Sequence, residues 1–111
     1  MKLEVKEKYL SMSPSQFILR CGYGHLVDPQ TGQESYSRRF GREFYPRFHL
    51  YLEEKTENGD RIAVFNLHLD QKKASYEGFS RHSGEYDGPL VEEEIARLRS
   101  LVIADYQGQK N

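Results

Sequence analysis

RFHLYLEEKTENGDRIAVFNLHLD, residues 47–70, carries its own folding instructions. Asn58-Gly59 sits between two alternating runs, and this dipeptide suits the left-handed conformations of a two-residue type I′ hairpin turn. A turn over Glu57-Asn58-Gly59-Asp60 pairs the flanking residues in one register. One face of the hairpin then collects Phe48/Leu69, Leu50/Leu67, Leu52/Phe65 and Ala63. The other collects Arg47/Asp70, His49/His68, Tyr51/Asn66, Glu53/Val64 and Lys55/Ile62. Shifting the register by one residue would set Leu50 opposite His68 and mix the two faces, so turn and pattern agree.

Outward from this hairpin, residues 3–9 alternate Leu3, Val5 and Glu7 with Glu4, Lys6 and Lys8, a short strand whose charged face would guard a sheet edge. Ser13-Pro14-Ser15-Gln16 opens a short helix with Ser13 as N-cap, Pro14 in the first turn and Gln16 closing a capping box. Phe17, Ile18 and Cys21 would bury one side of it before Gly22 ends it. A second hairpin follows, with strands near Tyr23–Val27 and Gln33–Phe40 about Asp28-Pro29-Gln30-Thr31-Gly32. Residues 71–88 read as a long connection containing Gly78, Gly84 and Gly88. The last helix is expected from about Pro89 to Tyr106, its apolar stripe formed by Val91, Ile95, Leu98, Val102 and Tyr106. Glu92, Glu93 and Glu94 suit its positive end, and Glu93 can pair with Arg97. Residues 107–111 read as a frayed tail.

The expected fold class is α+β: an antiparallel sheet of about five strands, built from two β-hairpins plus an N-terminal strand. A short N-terminal helix accompanies it, and a C-terminal helix packs on the Phe48/Leu50/Leu52/Phe65/Leu67 face. At 111 residues the chain reads as a single domain, 1–111. Eight tyrosines and six phenylalanines supply a core and argue against general disorder. A net charge of −1 restricts any polyanion role to a local patch. The lone Cys21 excludes an intrachain disulfide and fits a reducing compartment. The N-terminus alternates charge without a signal-peptide core, and no apolar run has the length of a membrane span, so a cytoplasmic protein with no membrane partner is expected.

Two features carry chemistry. Residues 36–49 place Arg38, Arg39, Arg42 and Arg47 within ten positions, interleaved with aromatics. Arginine forks grip phosphate or carboxylate with paired hydrogen bonds, and Tyr36 and Tyr45 are candidates to stack on a base or sugar. The plainer account is that the aromatics turn inward and the arginines stay solvated. The second feature is the His49/His68 pair, whose Cβ atoms on facing strands would lie about 4.5–5.5 Å apart. Asp70 shares that face and can orient a ring or neutralise Arg47.

The reading that follows is an anion-binding module for single-stranded nucleic acid or a phosphorylated metabolite. Arg38, Arg39, Arg42 and Arg47 would hold the anion over His49, His68, Tyr51 and Asn66, and Arg81 and His82 of the long connection would fold back over them. The alternative is a phosphodiesterase or metal-assisted hydrolase with His49, His68 and Asp70 as catalytic groups. A metal would take His49 and His68, completed by Asp70, His82 or Glu85; no spacing motif requires one and Arg47 opposes it, so no cofactor is expected. The last alternative is a non-catalytic protein-interaction domain. A monomer or homodimer fits all three. Cys21 and His25, in Cys-Gly-Tyr-Gly-His, read as a buried thiol and its neighbour rather than a nucleophile and base.

Overall fold

The computed structural model describes residues 1–71 and 88–110, together with the backbone of residues 84–85. Five strands form one antiparallel sheet: β1 (Lys2–Lys6), β2 (Gly24–Val27), β3 (Glu34–Arg39), β4 (Arg47–Glu57) and β5 (Asp60–Asp70). Their order across the sheet is β1-β5-β4-β3-β2. The short strand β6 (Gly84–Glu85) joins β5 beyond the reach of β1.

The central hairpin has the register read from the sequence, with His49 opposite His68 and Arg47 opposite Asp70. Asn58 and Gly59 both take positive φ, 52° and 83°, as a type I′ turn demands. In the β2–β3 hairpin, Gly32 also has positive φ and donates its N–H to the Asp28 carbonyl at 2.8 Å. Asp28 Oδ1 accepts from the N–H groups of Gln30 and Thr31, closing that turn through its own side chain.

Helix α1 (Pro14–Arg20) starts with the expected capping box: Ser13 Oγ accepts from Gln16 N–H, and Gln16 Oε1 accepts from Ser13 N–H. Helix α2 (Pro89–Gln109) and α1 both cover the apolar face of the sheet. Val91, Ile95 and Leu98 of α2 join Phe17 and Ile18 of α1 over Phe48, Leu50, Phe65, Leu67 and Leu69. Leu50, Ala63 and Leu67 are fully buried there.

Three local expectations change. The first strand stops at Lys6, and Glu7–Tyr9 form a 3₁₀ turn that carries the chain off the sheet. Residues 107–109 belong to α2 because its C-terminal end is tied down. Asp105 accepts from the Ser11 N–H and hydroxyl, and Gln109 donates to the Tyr9 carbonyl at 2.8 Å. The connection after β5 is interrupted by β6, since β1 pairs only with Ile62–Asn66 and leaves Leu69 and Asp70 to bond with residues 84–85. Residues 72–83 of that connection, with Arg81 and His82, lie outside the described residues. No helix among the described residues is long and apolar enough to cross a membrane.

Candidate functional site

The face of the sheet opposite the helices carries the polar groups. Strand alternation sends Arg47, His49 and Tyr51 of β4 to this side, and pairing with β5 sets Asp70, His68 and Asn66 beside them. Ser37 of β3 is paired with His49, and Ser35, two residues away, shares its side. A row of chemically different side chains thus results from register alone.

Asp70 is the hub. His49 Nδ1 lies 3.2 Å from its Oδ2, His68 Nε2 lies 3.0 Å from its Oδ1, and Arg47 Nε donates to Oδ2 at 3.2 Å. The two imidazole centroids are 4.9 Å apart with planes tilted by 57°. Tyr51 stacks along His68 at 5.7 Å and lies 4.7 Å from His49. On its far side, His49 Nε2 is 2.8 Å from Ser35 Oγ. The side chains are largely withdrawn from water, with 12% of His49, 8% of His68, 11% of Arg47 and 19% of Asp70 exposed. Burial pushes the Asp70 carboxyl up, but hydrogen bonds from His49 and His68 and their charge outweigh it. The carboxyl is held far below the usual carboxylate range.

The arginines divide. Arg47 is inside the cluster, its guanidinium 4.7 Å from the Tyr45 ring centroid and 5.3 Å from that of Phe44. Arg39, opposite Arg47, lies 4.3 Å over the Phe44 ring. Arg42 is exposed in the connection between β3 and β4. Arg38 points to the helix side, because strand alternation sets it next to Phe48 rather than His49. There its Nη1 donates to Glu94 Oε1 at 3.4 Å. Arg38 is thereby separated from the three arginines with which the sequence grouped it.

A cavity of about 260 Å³ opens beside the cluster, lined by Arg47, His49, Tyr51, Ser35, Phe44 and Tyr45 together with Leu26, Val27, Asp28 and Gln33. Asn66 sits next to the histidine pair, opposite Tyr51. The backbone of Glu85 pairs with Leu69. Ser35 is the participant that sequence reasoning missed. Its signal was available only after β3 had been registered against β4, since serine in a polar strand has no distinguishing pattern.

The helix side holds a second polar group that sequence reasoning also missed. Glu94 is buried, accepts from the Tyr23 hydroxyl, and receives Nε and Nη2 of Arg97, each at 2.8 Å. Arg97 therefore pairs with Glu94, not with Glu93. Burial pushes Glu94 up, while bonds from Arg97 and Tyr23 bring it below its ordinary value. The Tyr23 hydroxyl is pushed upward, first by burial and then by the Glu94 carboxylate. A signal did exist: Glu94 falls three residues after Val91 and four before Leu98, inside the apolar stripe.

His25 pairs with Glu34 at 2.9 Å, and Cys21 is a buried helix cap whose thiol is pushed up to about 11, mainly by burial. These two residues form no nucleophile–base pair. Compared with protein families, curated proteins and solved structures, the chain matches none.

Proposed function

We propose that the protein binds a small anionic ligand, of the phosphorylated-metabolite class, in the cavity beside His49. One observation carries the reading: Arg47 and His49, both fastened to Asp70, line the same cavity. An arginine held by a carboxylate and two aromatic rings is already oriented, so little rotamer freedom is lost when it meets an anion. Tyr45 and Phe44 offer flat apolar walls, while Asp28 and Gln33 in the lining suit hydroxyl groups of a sugar.

The division of the arginines favours a compact ligand over a single strand of nucleic acid. A strand-binding surface needs cations tracking a backbone, and Arg38 is turned to the opposite side of the sheet. Titration of the full chain with inorganic phosphate, ribose 5-phosphate and a short oligothymidylate, followed by amide NMR, separates these ligands. Shifts at Ser35, Arg47, His49 and Tyr51 with ribose 5-phosphate are expected, weakened at least tenfold in Arg47→Ala, as for the loss of a charged hydrogen bond. Ribose 5-phosphate and phosphate that shift nothing at low salt would refute the reading. Shifts with oligothymidylate alone would return the function to nucleic-acid binding.

A further inference from the structure

We propose that His49, His68 and Asp70 form a binding site for a divalent transition-metal ion of the zinc class. This inference goes beyond anion binding and does not depend on it. The three donor atoms lie within 4.8 Å of one another. Backbone geometry puts them there: His68 and Asp70 are two apart on β5 and share a face, and His49 is directly opposite His68 on β4.

The spacing suits coordination. Zinc bonds of about 2.0–2.2 Å imply neighbouring donors about 3.3 Å apart in a tetrahedron. Asp70 Oδ1, the oxygen that Arg47 leaves unbonded, lies 3.0 Å from His68 Nε2. The donor atoms all lie within 4.8 Å, so closing the edges that reach His49 requires a movement of about 1.5 Å at most, within reach of ring rotation. Two imidazole nitrogens and one carboxylate oxygen are a donor set for zinc, cobalt or nickel, not for calcium or magnesium.

The surroundings also fit. A metal-bound histidine commonly donates its second ring N–H to a fixed acceptor, and Ser35 Oγ sits 2.8 Å from His49 Nε2. An ion at Nδ1 would replace the proton that His49 shares there with Asp70, leaving Nε2–H to donate to Ser35 Oγ. Arg47 opposes the ion by charge, but it donates to Oδ2 and leaves Oδ1 to the metal. Of the three ligands only His49 lines the cavity, so a fourth ligand, water or an anion, coming from that side would have to pass the His49 ring.

The test is titration of the chelator-treated full chain with Co²⁺, read by visible absorption, and with Zn²⁺, read by thermal melting and competition. One equivalent of Co²⁺ should produce a ligand-field band that Zn²⁺ displaces. His49→Ala should weaken binding at least ~100-fold and Ser35→Ala about tenfold, the effect usual for an outer partner. His25→Ala, on the opposite side of the sheet and paired with Glu34, should bind as wild type. No band, and no rise in melting temperature at millimolar Zn²⁺, would overturn the proposal and identify the cluster as hydrogen-bonded histidines only. So would undiminished binding by a folded His49→Ala or His68→Ala protein. Ribose 5-phosphate titrated with and without Zn²⁺ separates the two proposals: binding by the metal-free protein leaves anion binding standing even if the metal site fails.

Discussion

At the scale of single residues, the buried carboxylate of Glu94 is where stability and pH meet. It is joined to Tyr23, Arg97 and Arg38, and its partners hold its folded-state value below the ordinary 4.5. A depressed carboxyl stabilises the fold above its unfolded value and loses that contribution as pH falls through the folded value. Glu94→Gln should therefore cost about 3 kcal/mol near neutral pH, because two arginines lose their counter-charge. In paired urea melts, the difference from wild type should be constant above about pH 5 and narrow below about pH 4. A difference that does not change with pH would mean that packing, not charge, is what Glu94 contributes. Cys21 offers a second reading at this scale. With its thiol pushed up to about 11 and buried, alkylation of the native protein at pH 8 should be far slower than in denaturant. Equal rates would place the thiol outside the core.

Individual elements show which parts of the fold were legible. The β4–β5 hairpin could be registered residue by residue because Asn58-Gly59 fixes the turn and the apolar alternation independently fixes the faces. The capping box of α1 was equally explicit, since Ser13, Pro14 and Gln16 each satisfy a separate need of a helix start. The end of α2 was not, because nothing local holds residues 107–109 helical; Ser11 and Tyr9, some hundred residues earlier, do so. Nor could strand order be read, as β1 gains its place only by pairing with Ile62–Asn66. Two substitutions test the elements. Gly59→Ala keeps open space around the new Cβ but imposes a φ of +83° on alanine, and should cost about 1 kcal/mol in a thermal melt. Leu50→Asp places a charge at a fully buried position beneath both helices and should abolish cooperative unfolding altogether. A normally melting Leu50→Asp protein would reverse the assignment of the two faces.

Across the whole molecule, the sheet sorts one arginine-rich run into two jobs. Arg38 and Arg47 are both basic and nine residues apart, and composition treats them alike. Antiparallel pairing does not: Arg38 is opposite Phe48 and meets Glu94 under α2, while Arg47 is opposite Asp70 and meets the histidines on the other side. The candidate site was legible as far as the hairpin register extended, namely Arg47, His49, Tyr51, Asn66, His68 and Asp70. It was illegible where a third strand was needed, which is why Ser35 was missed and Arg38 was grouped with the wrong partners. This sorting makes a prediction that composition alone cannot. Arg38→Ala should lower stability, because Glu94 loses one of its two cations, and should leave ribose 5-phosphate binding within about twofold of wild type. Arg47→Ala should weaken that binding at least tenfold, as a lost charged hydrogen bond implies. Denaturant melts and ligand titrations on the same two variants give four numbers with a crossed pattern. If both arginines weakened binding equally, the anion would have to be held by the whole basic run, and the two faces would not be functionally separate.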